Sequence, residues 1–509
     1  MFFRLYFLFI FMTFFTSNLL AEEIAPFKFA QKYTIDDIMN SREKSESFIR
    51  EYLMWEGEFF SIARDKEKEL IYDGYMLDEK TGKTVKCRYW SAPSKECLDV
   101  ALCVKAISGD PFAAILLASG DKEKAKEKAV KILTGKMDSY MDYYRDYPGY
   151  GGFMPWYYIK DKVTPTDNWM EYVPSLDNGE WIWALLVAEK SLRKEGYAQL
   201  ADRYGDYLSM LQKNAVKIFY DKEAMKVRAD VHILDMKDVN SGYETAHDRL
   251  KYITGEHGVH EGVMIVTYIT LFGNLTEKEK EAIWKDIKMV RVEHKYGTTW
   301  QGYWGSAHES WAYLFMPYRN MTHYRDLFRI REIIRSRNAE ERGYPGLTAS
   351  IGKPGEDGYL SACGIEGVGS QPVEYNYVFA PYGAFPMILE FSDRQEGNYG
   401  LAWLLNMLKA RKMQGPLGGG ESGTNDGTLV SYSKTVDGTF PILVALMGGL
   451  EKETTQMLKD YGVYEEFIKV MEQEYDETFG GEPLKEPAGF ALPSVSVPVD
   501  KLSDYVCEK

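Results

Sequence analysis

The sequence predicts an all-α protein, a closed (α/α)6 barrel in which helical hairpins form a toroid. Two observations lead there. Apolar residues recur at helical spacing through about a dozen segments, while the strand candidates are short, KVRADVHIL being one. The helical segments are joined by alternating short and long connections, which suits a ring of hairpins better than a sheet-centred fold. A chain of 509 residues that is 45% hydrophobic has ample apolar material for one large core.

In chain order, residues 1–21 read as a secretory signal peptide: Arg4, a mostly apolar run from Leu5 to Phe15, a polar break at Thr16, Ser17 and Asn18, then Ala21 before acids. The apolar run is short of the ~20 residues that a membrane-spanning helix needs. Export to the periplasm or the medium is therefore expected, with no membrane contact after cleavage. Residues 22–95 follow as an N-terminal helical extension with a helix over 35–63. Helices are expected over 97–118, 122–144, 179–195, 197–219, 260–272, 277–290, 308–315, 324–336, 372–391, 398–412, 438–447 and 451–473, so that 96–480 forms the ring. Residues 481–509 are a Pro- and Ser-rich tail.

Charge narrows the choice of partner. Removing residues 1–21 takes away Arg4 and no acid, leaving 60 basic against 76 acidic residues from the 61 and 76 of the whole chain. Nucleic acids and anionic membranes are poor partners for such an acidic protein. Cys87, Cys97, Cys103, Cys363 and Cys507 are odd in number and too few for a disulfide scaffold, and they lack the C-x-x-C spacing of a zinc site. Neither a metal nor another cofactor is expected.

Aromatic residues make up 14% of the chain and gather in Gly-rich connections. Flat rings with one polar edge suit a hydroxylated, apolar-faced ligand such as a sugar. Trp300, Tyr303 and Trp304 in KYGTTWQGYWGSAHES are expected to form a subsite platform beside the cleft, and Tyr147, Tyr150, Trp156 and Tyr157 in an earlier connection are a second loop group of aromatics expected to be more than core packing. In YVPSLDNGEWIWALL, Ser175 or Asp177 can cap a helix beginning near Gly179. Alternatively, Asp177 faces the ring centre and hydrogen-bonds substrate hydroxyls, with Trp181 or Trp183 beside it. In TGEHGVHEGVMIVTYITLF, Glu256, His257, His260 and Glu261 begin an otherwise apolar helix. Desolvation there would raise the pKa of Glu261 and fit it to donate a proton. His308 and Glu309 can line the same pocket. GPLGGGESGTNDG lacks the Lys of a phosphate loop and carries Glu421. Asp437 stands at another helix start in KTVDGTFPILVAL.

Several of these stretches, in this order, resemble the bacterial glycoamylase-like domain family, which includes endo-β-1,2-glucanases: SLDNGEWIWALLVAEKSL, HEGVMIVTYITLFGN, AHESWAYLFMPYRN, GYPGLTASIGKPGEDGYLSACGIEG, EYNYVFAPYGAFPMILEF and TVDGTFPILVAL. The resemblance covers roughly residues 140–475. It implies a metal-independent hydrolase of a β-glucan, β-1,2-glucan foremost, with carboxylates in a central cleft and an oligo- or polysaccharide as partner. Asp177 corresponds to a substrate-binding Asp, Glu261 to the general acid, and Glu421 and Asp437 to two later acids of which one is the base. Tyr382, in APYGAFP, joins the substrate-binding candidates. The usual aromatic-Asp-aromatic element is here GGGESGTND, so the base is open between Asp437 and Glu421. Asp437 ranks first because a helix start holds a side chain more rigidly than a glycine loop. The resemblance implies inversion. Two other readings stay open: a polysaccharide lyase using Tyr252, His257 and His260, and a glycan-binding protein without catalysis.

Overall fold

The computed structural model describes residues 25–255, 262–349, 351–361, 363–391, 394–481, 484–485 and 488–506. The expected signal peptide, Glu256, His257, His260, Glu261 and Cys507 lie outside the described residues. Among the described residues, twelve helices alternate between an outer and an inner layer. In chain order they are α1 (Arg42–Ile62), α2 (Pro93–Ile107), α3 (Lys122–Asp146), α4 (Ser175–Lys194), α5 (Ala198–Phe219), α6 (Gly262–Phe272), α7 (Glu277–Asp286), α8 (Trp311–Phe315), α9 (Thr322–Glu341), α10 (Phe385–Ile388), α11 (Glu396–Leu408) and α12 (Val436–Leu446). The even-numbered helices are inner. Helix α2 packs on α4 and α4 on α6, α8 touches α4 and α12, α10 packs on α12, and α12 returns to α2 and closes the ring. Outside, α3 lies on α2, α5 on α4 and α11 on α10. The fold is an (α/α)6 barrel.

The sequence sorts the layers by how many faces are apolar. Helix α5 buries Leu200, Ala201, Tyr204, Tyr207, Leu208, Leu211, Ala215, Ile218 and Phe219, one stripe at helical spacing. The inner helices have no solvent face: every residue of α12 except Asp437 is buried, and every residue of α2 except Ser94. Four charged side chains in α2 are buried with it, and each has an opposite charge against it. Lys95 meets Asp437, Glu96 meets Lys136, Asp99 meets Arg64, and Lys105 meets Glu453.

Several expected elements are divided differently. The helix expected over 97–118 is two helices, because Asp110 caps a new start at Pro111 by accepting from the Phe112 and Ala113 amides. Of the helix expected over 372–391, only the 3-10 turn Pro381–Ala384 and the short α10 are helical, while Val378–Phe379 pairs as a strand with Gly423–Thr424. Residues 22–95 are not a separate helical extension. Strand Gly74–Leu77 pairs antiparallel with Thr84–Arg88 on one side and with Ser433–Thr435 on the other, which ties the segment to the start of α12. Gly74 has φ 156°, and a Cβ there would stand 2.1 Å from the Lys434 carbonyl oxygen, so only glycine permits this pairing. The C-terminal tail wraps α11: Trp403 donates to the Ala491 carbonyl, Asn406 to Val495 and Arg411 to Val499. No single helix among the described residues is long and apolar enough to cross a membrane.

Candidate active site

Adjacent residues in the first turn of α2 bring together the starts of three inner helices. Ser94 donates to Asp177 Oδ1 at the start of α4, and Lys95 lies 2.8 Å from Asp437 Oδ2 at the start of α12. Both carboxylates therefore open on one mouth of the ring.

Asp437 is in the first turn of α12, where Thr435 is the N-cap and accepts from the Gly438 amide. Its side chain is 19% exposed, and Oδ1 has no hydrogen-bond partner among the described residues. Lys95 is fully enclosed and also lies 3.6 Å from Asp73 Oδ1. Burial opposes its charge, but Asp437 and Asp73 outweigh burial and hold its pKa above the usual lysine range. Asp73 accepts from Tyr359 (2.6 Å) and Arg88 (3.0 Å), and Arg88 continues to Asp357 at 2.6 Å. Burial pushes the Asp73 carboxyl up against the pull of Lys95 and Arg88. The sequence alone does not single out Lys95, Asp73, Arg88 or Tyr359. The available signal is a set of charges in a segment, GKTVKCRYWSAPSKE, that otherwise reads as the approach to a buried helix.

The Asp-Asn-Gly turn at the start of α4 has three separate tasks. Helix α4 begins at Ser175 with Pro174 as N-cap and no side-chain cap, so neither Ser175 nor Asp177 is a capping residue. Asp177 instead accepts from Ser94 and from Trp156 Nε1 (3.2 Å). Asn178 exchanges hydrogen bonds with the Met154 backbone, fixing the loop that carries Trp156. Gly179 lets α6 approach: a Cβ would lie 2.7 Å from the Ile265 amide nitrogen. Beyond Asp177, Trp90, Trp156 and Trp169 stack in series, with centroids 5.2 and 6.0 Å apart. Arg249 covers the far face of the series, 4.5 Å from the Trp169 ring and 4.3 Å from Tyr172. Asp230 on the neighbouring strand is pushed up to about 7 by burial, which Arg249 counters and Asp177 reinforces.

Glu421 sits behind Asp437 rather than beside it. It is 1% exposed, and Oε1 accepts from the Thr435 amide (2.7 Å) and hydroxyl (2.8 Å), gripping the N-cap of α12. A Cβ at position 438 would lie 2.3 Å from Oε1, so Gly438 makes room for the grip. Burial raises its pKa to about 7, against the pull of Thr435. A carboxyl whose folded pKa exceeds its unfolded value holds a proton in the folded state that the unfolded chain has released. Folding stability therefore falls as pH rises between about 4.3 and 7. Glu421→Gln, which keeps the acceptor, is expected to flatten that slope in urea unfolding series at pH 5 and 8.

Other expected contacts lie inside the protein. Trp181 is wholly buried against Tyr140 (4.9 Å), and Trp300 is 1% exposed, edge-on to Phe328 with Arg331 over its ring. Trp300 is therefore core, not platform, because its strand Gly297–Trp300 packs on α9. Glu309 is buried, pairs with Arg331 and accepts from the Trp304 and Gly305 amides, a loop-fixing role. Tyr382 is buried, with its hydroxyl 2.9 Å from His308 Nδ1 and accepting from Trp311. His308, Tyr303 and Trp304 are half-buried, the last two forming an edge-to-face pair at 4.5 Å. Of the earlier aromatic group, Tyr150 and Tyr157 are core and Trp156 is at the site. Tyr252 donates to Asp221 Oδ2 at 3.0 Å, beside Arg228. Among the described residues no group of three or more His, Cys, Asp and Glu could hold a metal ion.

The profile of the endo-β-1,2-glucanase SGL family, glycoside hydrolase family 162, matches residues 70–508. Among solved structures, an endo-β-1,2-glucanase from Talaromyces funiculosus in complex with sophorose is 31% identical. The alignment covers 94% of this chain and 99% of that one, with a TM-score of 0.88. A mutant of the same enzyme with β-1,2-glucan superposes equally, at 31% identity, the same coverage and a TM-score of 0.88. An endo-β-1,2-glucanase from Chitinophaga pinensis shares the fold at 12% identity, covering 81% of this chain and 97% of that one, with a TM-score of 0.57. No curated protein sequence matches.

Proposed function

Because the chain belongs to the endo-β-1,2-glucanase SGL family, we propose that it cleaves β-1,2-glucan, by inversion, with Glu261 as general acid and Asp437 as general base. The protein is a glycoside hydrolase, and the ligands in its 31% identical relatives are β-1,2-glucan and sophorose. The sequence over residues 1–21 supports action outside the cytoplasm.

One observation carries the choice of base. The Asp437 side chain is 19% exposed at the mouth, with Oδ2 on Lys95 and Oδ1 buried without a hydrogen-bond partner among the described residues, whereas Glu421 is 1% exposed and lies behind it. Asp437 can accept a proton from water; Glu421 positions the helix that carries it. Glu261 lies outside the described residues; it directly precedes Gly262 of α6 in the sequence, and the resemblance of HEGVMIVTYITLFGN supports reading it as the proton donor to the leaving oxygen. Direct inversion needs the two carboxyls about 6.5–9.5 Å apart, and a relay through a substrate hydroxyl and water would tolerate more. Asp177, aligned by Ser94 and Trp156, is assigned to substrate hydroxyls.

Reducing-end release from β-1,2-, β-1,3- and mixed-linkage glucans tests the substrate. Oligosaccharides are expected from β-1,2-glucan. Turnover of another glucan with none of β-1,2-glucan would refute the assignment.

A further inference from the structure

We infer that Lys95 is a positioning residue for the reaction: its ammonium, braced by Asp73, fixes the Asp437 carboxylate in its proton-accepting orientation and charge state. The inference rests on the reading of Asp437 as base and extends it to a residue that does not itself meet the substrate.

The geometry confines Lys95 more closely than an ordinary ion pair. Its ammonium lies between Asp437 (2.8 Å) and Asp73 (3.6 Å). The rings of Trp90, Trp156 and Tyr359 surround it, with centroids at 5.0, 5.2 and 6.0 Å. A flexible four-carbon stem is thereby held in one place. Asp73 is equally immobile. Its amide donates to the Trp90 carbonyl (2.6 Å), its carbonyl accepts from Val436 (2.9 Å), and its carboxylate is held by Tyr359 and Arg88. Since Val436 directly precedes Asp437, the brace and the braced carboxylate share one backbone junction. Ser94, the neighbour of Lys95, holds Asp177 in the same way, so one helical turn sets the spacing of two site carboxylates.

The charges facing the pair define what removal of Lys95 does. Asp73 and Asp437 meet the ammonium, Asp177 acts on it from α4, Arg88 balances Asp73, Tyr359 donates to Asp73, and Glu421 lies behind Gly438. Without Lys95, two carboxylates face one another with Arg88 alone near them. The two then titrate as a coupled pair that holds a proton to higher pH.

The pH dependence of kcat/KM on β-1,2-gluco-oligosaccharides reads this directly. For Lys95→Met we expect kcat to fall about 10²-fold, KM to change little, and the acid limb to rise by about 1–2 pH units. Lys95→Arg, which keeps the charge, is expected to return the limb most of the way. Should Lys95→Met fail to fold, Asp73→Asn is read instead, and it is expected to move the limb down because a negative neighbour is lost. A limb unmoved in the folded variants, with Asp437→Asn inactive, overturns the role of Lys95 and leaves the base assignment standing. Asp437→Asn at the wild-type rate overturns the base assignment itself, and the inference with it.

Discussion

Asp437→Asn is expected to lower kcat on β-1,2-glucan by up to about 10⁴-fold, the upper range for loss of a general base, while oligosaccharide affinity stays nearly unchanged. The amide has the same shape and keeps an oxygen toward Lys95, so the α12 start and its Thr435 cap need not move. What it lacks is the ability to take a proton from water. Lys95 retains Asp73 at 3.6 Å, so its charge is not stranded, and the thermal midpoint should shift little. Steady-state rates together with calorimetric titration of an oligosaccharide check this. A large rise in Kd at unaltered kcat would instead make Asp437 a binding residue.

The largest effect on stability is expected from Lys136→Met, at about 3–5 kcal/mol. Lys136 projects from outer helix α3 into a fully enclosed cluster, 2.5 Å from Glu96 and 2.9 Å from Asp99 on inner helix α2. Tyr140 and Tyr157 add hydroxyl bonds to Glu96 at 2.8 Å each, and Arg64 reaches Asp99 at 2.6 Å. Every one of these groups is cut off from water, so removing the lysine leaves Glu96 without a cation. Burial opposes the Asp99 charge, but Arg64 and Lys136 outweigh it and hold its pKa below the usual carboxylate range. A depressed folded pKa contributes stability that is present above the unfolded value, about 3.9, and lost as pH falls through the folded one. The acid-side loss should therefore begin at higher pH in the variant than in the parent. Urea unfolding at neutral pH and at pH 4 measures both effects. A midpoint unchanged at neutral pH would show the cluster to be dispensable.

The ring of helices is legible in the sequence because its inner members are mostly apolar, with a few charges that are buried along with them, and its outer members are apolar on one face. Asp177 and Asp437 can be picked out too, as acids at the start of a largely apolar run. Their surroundings cannot. The pairing of Gly74–Leu77 with Ser433–Thr435 joins positions more than 350 residues apart, and no local pattern signals that Asp73 and Lys95 converge on Asp437. Aromatic composition misleads for the opposite reason. A tryptophan in a Gly-rich connection can turn either way: Trp156 turns to the site and donates to Asp177, whereas Trp300 turns inward under Arg331. Glu309 reads as a site acid until Arg331 is found against it. The long helix expected over 372–391 fails at Val378–Phe379, whose apolar pair serves a strand.

The configuration of the first sugar released tests the two-carboxylate account most directly. Proton NMR of β-1,2-glucan mixed with the enzyme, recorded before mutarotation, resolves the new anomeric proton. A base at Asp437 that activates water on the face opposite the leaving oxygen gives the α-anomer first. The β-anomer appearing first would mean a glycosyl-enzyme intermediate and a carboxylate nucleophile, and would contradict both the base role of Asp437 and the positioning role of Lys95.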